Sequence, residues 1–527
     1  MINKLLLAFL ISTTTYTTVH NEFLSLFKAT REYLYSWQIG EATKTADRLL
    51  ELAKKDEEKA LAYYLKSEIE FHRGEYKKAQ DYITQARNLA PEDKDINYFL
   101  THIKDVIKTA GSFKEVQTKH FIIRYVHPKD QILALYAKEV LESSYHEIGF
   151  LLETYPDEPV VVEVYPDLKS FTTASTLSLN DIKTTGVVGI CKFNRIMILS
   201  PRLLPKGYRW SDTLAHEYTH YLLFIRSKNT IPVWLHEGIA KFYEKRWRQK
   251  HSEVLNPLYE TILARALKDR GFVPIEKMHP SLGKLQNAYE AQLAFAQVGT
   301  MIEFLTHKWG SNAVVKLVDK LKETRDYKLA IKEITQKEFD EFYNLWIGYL
   351  NSKKLKEKIP SLSVKELEFV QDDKDSQEDE SKELAYIEDA MARRYTKLGD
   401  MLRERNRLKA ALYEYEKAIS FDPLSPVILH RLGLTKAKYG EYEEAEKLFR
   451  FILDYYPDSI EAYINLGRIY LKQGKVKGAE KLFREALQIN PYDPEIHIEL
   501  ASIYQKQNKK DLEEQEKLAL EIILKED

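Results

Sequence analysis

Residues 216–220 read His216-Glu217-Tyr218-Thr219-His220, and residues 234–238 read Trp234-Leu235-His236-Glu237-Gly238. Histidines four residues apart on a helix stand one turn apart and only about 40° around its axis, so both imidazoles can reach one ion of tetrahedral preference. Glu217 then lies beside that ion, where its carboxylate can take a proton from water whose pKa the ion has lowered toward neutrality. That combination is the chemistry of a zinc hydrolase. The flanking pattern supports a helix. Asp212 is placed to cap its start, and Leu214, Tyr218, Leu222 and Ile225 form an apolar stripe away from His216 and His220.

Two histidines can fall four apart on a helix with no metal between them, so the downstream segment matters. Pro232, just ahead of Trp234, fits the first turn of a new helix. Glu237 then sits one turn inside it, where an anionic oxygen can complete a His2Glu set and leave a fourth position for water. HEYTH followed after 16 residues by Glu237, within WLHEGIAKFYE, resembles the gluzincin metallopeptidases, in particular the peptidase MA-like domains in which an HExxH helix precedes a WLxEG helix. The likeness extends upstream to HFIIRY at 120–125 and GICKFNRI at 189–196. It implies an α+β zincin-like domain over residues 115–350, with His216, His220 and Glu237 holding one Zn2+ per chain and Glu217 as general base. His236 points about 100° around the helix from Glu237 and is read as a bystander. One position departs from the resemblance. Thermolysin-like enzymes carry, one turn after the third ligand, a carboxylate that orients a metal-bound histidine, and here that place is Lys241.

Upstream, His120–Val126 and Pro159–Tyr165 are β-branched and aromatic runs separated by an amphipathic stretch from Gln131 to Tyr155, which predicts a strand-helix-strand unit with parallel strands. Val187–Lys192 and Ile196–Ser200 flank Phe193-Asn194-Arg195 and predict a hairpin just before the HEYTH helix. Either its edge is free to bind an extended peptide by strand addition, or it is a covered structural hairpin. Helical patterns at Ala288–Thr306 and Lys337–Asn351 would form a cleft wall, and Tyr243 and Tyr289 are candidate donors to a reaction oxyanion.

A second signal is a repeat of period 34. Gly399, Gly433, Gly467 and Ala501 share it, as do Ala411, Ala445 and Ala479, and Pro423, Pro457 and Pro491. Small residues are needed where two helices approach closely, and Pro follows the second helix of each unit. Asn406, Gly440, Gly474 and Asn508 fall in the intervening turns, where a left-handed backbone is expected. The register resembles tetratricopeptide repeats over 390–525. Residues 60–93 place Gly74, Ala79 and Pro91 at the same offsets, and the N-terminal helices of 21–110 read as a shorter set that stacks on its neighbours. The acidic stretch within 353–385 reads as a solvated linker.

Composition sets limits. Lys plus Arg number 79 against 80 Asp plus Glu, a net charge of -1, so nothing points to nucleic acid or an anionic membrane as partner. The single cysteine, Cys191, excludes an intrachain disulfide and any thiolate cluster, and reads as a small buried residue. Residues 1–20, with Lys4 ahead of the apolar run Leu5–Ile11, read as an export signal to the periplasm or cell envelope, or else as a cytoplasmic start helix; the run is too short to span a bilayer. The whole reads as a multidomain chain: a zinc peptidase whose helical repeats recruit a protein or peptide substrate. A repeat scaffold with an inactive or structural zincin domain is the alternative.

Overall fold

The computed structural model describes residues 17–525, apart from 252, 270, 280–281, 360–368 and 370–382. The expected export segment, up to residue 16, and most of the expected acidic linker lie outside the described residues. Among the described residues no helix is long and apolar enough to cross a membrane.

Five helices come first: α1 (Thr17–Tyr35), α2 (Ile39–Leu52), α3 (Asp56–His72), α4 (Tyr76–Leu89) and α5 (Lys94–Ala110). Strands β1 (Lys114–Gln117) and β2 (Phe121–Tyr125), helix α6 (Asp130–Leu151), strand β3 (Val160–Tyr165), helices α7 (Leu168–Ser175) and α8 (Leu179–Thr185), and strands β4 (Gly189–Lys192) and β5 (Arg195–Leu199) follow. The sheet order is β1-β2-β3-β5-β4, with β2, β3 and β5 parallel and β1 and β4 antiparallel at the edges. The strand-helix-strand unit and the hairpin are therefore present. Phe193 and Asn194 alone form the turn at positive φ, and Arg195 opens β5 opposite Lys192.

Side chains alternate across the sheet, as a period of two requires. Val160, Val162, Val164, Ile196 and Ile198 join one core with α6, whereas Tyr165, Met197 and Leu199 join another with Phe71, Tyr76 and Ile96 of the N-terminal helices. Both faces are covered, which is why these strands read as nearly unbroken apolar runs. The exception is Glu163, fully buried on the second face. There it meets Arg195 at 3.1 Å and Arg124 at 3.7 Å and accepts hydrogen bonds from the hydroxyls of Tyr76 and Tyr165. Arg195 and Arg124 also donate to the carbonyls of Phe71, in the last turn of α3, and Gly74, in the turn that follows. The N-terminal unit thus stacks on the sheet through a buried ionic knot.

The chain continues with α9 (Trp210–Ser227), α10 (Val233–Tyr243), α11 (Pro257–Asp269), α12 (Ala288–Trp309), α13 (Ala313–Thr324), α14 (Tyr327–Thr335) and α15 (Phe339–Ser352). The array then runs as four helix pairs: α16 (Ala390–Glu404) with α17 (Leu408–Phe421), α18 (Pro426–Tyr439) with α19 (Tyr442–Tyr455), α20 (Ile460–Lys472) with α21 (Val476–Leu487), and α22 (Pro494–Lys506) with α23 (Lys510–Leu524). The period has a steric cause. A Cβ on Gly433 or Gly467 would lie 2.9 or 2.7 Å from the ring of Phe449 or Phe483 in the partner helix. Asn406, Gly440, Gly474 and Asn508 all take positive φ in the turns.

The C-terminal pairs lie against the sheet domain. Trp210 Nε1 donates to the Leu487 carbonyl at 2.9 Å, Tyr136 donates to Glu516 at 2.8 Å, and Tyr492 donates to Asp130 at 2.6 Å. Gly207, at φ 67, lets the backbones meet: its Cβ would fall 2.4 Å from the Ile489 carbonyl oxygen.

Candidate metal centre

Helix α9 starts at Trp210 with Arg209 as its N-cap, ahead of the expected cap at Asp212. Asp212 is therefore inside the first turn, and its carboxylate accepts from Arg248 and Trp247 rather than capping the helix. Leu214, Tyr218 and Leu222 are buried, as the apolar stripe requires. On the other side His216 and His220 turn toward α10, whose N-cap is Pro232.

The three expected ligand atoms converge. His216 Nε2 and His220 Nε2 are 3.1 Å apart, and each is 3.4 Å from Glu237 Oε2. An ion with bonds of about 2.0–2.1 Å in tetrahedral array separates its ligands by roughly 3.3–3.4 Å, so the donor set fits zinc in type and spacing. Glu217 offers a further carboxylate oxygen within 4.8 Å of both histidines. Its Oε2 is buried and has no hydrogen-bond partner among the described residues. Burial raises the Glu217 pKa above the usual carboxylate range, against the pull of His220 and His216. Strand β4 lies directly on this side chain. The Cys191 backbone amide hydrogen-bonds it, and a Cβ at Gly189 would stand 3.1 Å from Glu217 Cγ.

Around the ligands lies a layer that the sequence reading did not identify. His216 Nδ1 is 3.4 Å from Glu244, which Lys241 holds at 2.9 Å. The orienting carboxylate is therefore two turns after Glu237 rather than one, and Lys241 secures it. A spacing of seven returns to the same helix face and was the available signal. His236 is no fourth ligand, yet it is no bystander: its Nδ1 lies 2.7 Å from His220 Nδ1. If His220 ligates through Nε2, its Nδ1–H donates to a neutral His236. Burial, with His220 adding to it, holds the His236 pKa well below the ordinary histidine value, as that role needs.

Burial opposes charge on His216, but Glu237 and Glu244 outweigh it and push its pKa up to about 10. Burial is likewise outweighed at Glu244, where Lys241 and His216 bring the carboxyl down to about 2. Below pH 10 the metal-free His216 carries a proton that a ligating imidazole cannot keep. Zinc uptake at pH 7 should therefore release about one proton from this residue, and affinity should rise with pH. Calorimetric titration in buffers of different ionisation enthalpy reads this directly; a binding heat independent of buffer would contradict it.

Two cavities meet at the site. One, of about 770 Å³, is bordered by His216, Glu217 and Lys241 and also by Tyr463, Tyr470 and Lys481 of the repeats. The other, of about 260 Å³, is bordered by His216, Glu217, His220 and Glu237 with apolar Ile190, Leu282 and Phe295. Tyr243 and Tyr289 border neither. Tyr243 is buried in the core, and Tyr289 pairs with Arg265. Cys191 is buried, as expected, on the strand beside the smaller cavity. A further group, His120, Glu142 and His146, could also hold an ion at the surface.

Residues 150–352 match the family model of the Peptidase MA superfamily, and 399–440 and 430–494 match tetratricopeptide-repeat models. The chain thus carries a Peptidase MA superfamily domain followed by tetratricopeptide repeats. It is 22% identical over 259 residues to the uncharacterized protein YhcO of Bacillus subtilis (strain 168), covering 45% of this chain and 73% of that protein. Among solved structures, PilF of Pseudomonas aeruginosa is 22% identical with a TM-score of 0.25, over 26% of this chain and 63% of that one. The repeat protein TTC0263 of Thermus thermophilus is 22% identical with a TM-score of 0.23, over 25% and 73%.

Proposed function

We propose that this protein is a zinc-dependent peptidase of gluzincin type whose helical repeats present a protein or peptide substrate. The observation that carries the reading is the convergence of His216, His220 and Glu237 within 3.4 Å of one another beside the unpartnered Glu217 Oε2. Zinc held by these three residues would polarise a scissile carbonyl and acidify the attacking water. Glu217 accepts the proton of that water and returns it to the leaving amine. Glu244 and His236 keep the two imidazoles in the tautomers that leave Nε2 free. The edge strand β4, whose Gly189, Ile190 and Cys191 line the smaller cavity, would offer backbone groups to an extended chain.

Elemental analysis of the purified protein tests the centre: about one zinc per chain is expected, lost in His220→Ala. Cleavage of casein that stops on adding a chelator tests the reaction. Absence of metal, before and after zinc is supplied, would sink the proposal. Bound zinc without proteolysis would favour a scaffold whose metal is structural, or a hydrolase of other acyl groups.

A further inference from the structure

The larger cavity beside the metal ligands is not built by the peptidase-superfamily segment alone. Its far wall belongs to α19, α20 and α21, through Arg450, Tyr463, Tyr470 and Lys481. That wall is fixed in place. Arg209, the N-cap of the helix bearing His216, reaches Asp458 at 2.6 Å and Glu485 at 3.1 Å, and donates to the Pro457 carbonyl and the Tyr463 hydroxyl. Arg248 spans from Asp212 at 2.8 Å to Glu485 at 3.3 Å.

The charges lining this cavity can be matched in turn. Asp212 is taken by Arg248, Glu244 by Lys241, Asp458 by Arg209, and Glu485 by both arginines. Arg450 is held by Glu446 and Tyr470. Three carboxylates thus share two guanidiniums, so apart from the metal-site residues the lining carries a net surplus of about one positive charge, and the two charged side chains without an ion-pair partner are both cations. Lys245, half-buried just after α10, and Lys481, exposed on α21, have no carboxylate within ion-pair distance among the described residues. They come from the peptidase domain and the repeats respectively, so this pair of unpartnered cations faces one cavity only because the two are assembled.

We propose that the repeats form a substrate-binding wall of the catalytic cleft, and that Lys245 and Lys481 there select a carboxylate on an extended polypeptide. The carboxylate is either an acidic side chain or the free C-terminus, and the charge balance draws both alike. This deepens the peptidase reading and rests on it for the claim that the cleft receives peptide. It changes the role of the repeats from distant recruitment to direct contact with the residues beside the cleaved bond.

The test uses zinc-loaded full-length Glu217→Gln protein, which should consume the probe only slowly. Three fluorescein-labelled decapeptides are titrated by anisotropy: one with internal Asp and Glu and an amidated end, its Asn and Gln counterpart with an amidated end, and that counterpart with a free carboxylate. At least one carboxylate-bearing peptide should bind about tenfold or more tighter than the neutral amide at low salt, with the advantage shrinking as salt rises. Lys245→Gln should reduce that advantage and Lys481→Glu should abolish it. Position 481 is exposed, so its substitution leaves the fold intact, which zinc content and melting temperature check. A preference for the first peptide assigns the site to side chains, and for the third to chain ends. Equal binding of all three, or an advantage that survives both substitutions, overturns the proposal. Wild-type cleavage of the same peptides is scored separately: selective binding without cleavage would remove the peptidase reading and leave the carboxylate-selecting wall.

Discussion

Glu217→Gln protein is expected to carry zinc at the wild-type level and to cleave casein slower by a factor on the order of 10²–10⁴. The substitution keeps the shape of a side chain packed against Gly189 but removes its capacity to accept a proton. The ligand atoms belong to other residues, so metal content should not follow activity. The loss should fall in kcat with little change in KM, since a proton acceptor works in the transition state rather than in binding. Full activity in this variant would sink the mechanism. Loss of zinc together with activity would instead make Glu217 part of the ligand set, against the convergence on Glu237 Oε2.

The largest expected effect on stability lies on the opposite face of the sheet. Glu163→Gln keeps volume and removes the negative charge that compensates Arg195, which is fully buried, and Arg124, which is nearly so. Breaking a buried pair on one side leaves an uncompensated charge and costs about 3–5 kcal/mol. Urea denaturation should show that loss, together with an earlier release of the N-terminal helices, because Phe71, Gly74 and Tyr76 attach through the same cluster. A change below about 1 kcal/mol would mean that the knot is solvated and marginal.

Local regularity made much of this molecule legible. The His216–His220 spacing depends only on helix pitch, and the glycine and proline register depends on one helix pair packing on the next, so both are written within a few dozen residues. The β2–α6–β3 unit and the hairpin were likewise readable, with Arg195 misplaced by one residue because a turn and a strand start look alike in sequence. Misreading at Asp212 has a different cause. Capping preference is local, but Arg248 and Trp247 claim the carboxylate from 35 or more residues away. Glu244 was hidden by an expectation of one turn where the chain uses two. Tyr243 and Tyr289 were candidates by helix position alone, which does not fix the direction of a side chain in the fold. Nothing in the sequence tied Arg209 to Asp458 and Glu485, since that pairing depends on how a separate helical array comes to rest.

The docking of α20–α23 also sets an order in time. The proposed metal ligands end at residue 237, whereas the contacts that complete the larger cavity come from residues 450–485 and are locked by Tyr492, His497 and Glu516. During vectorial synthesis the earlier segment can fold first. A nascent molecule whose earlier segment has folded would hold the proposed ligands together with one wall of the cleft still missing, and the finished groove waits on synthesis through Glu516.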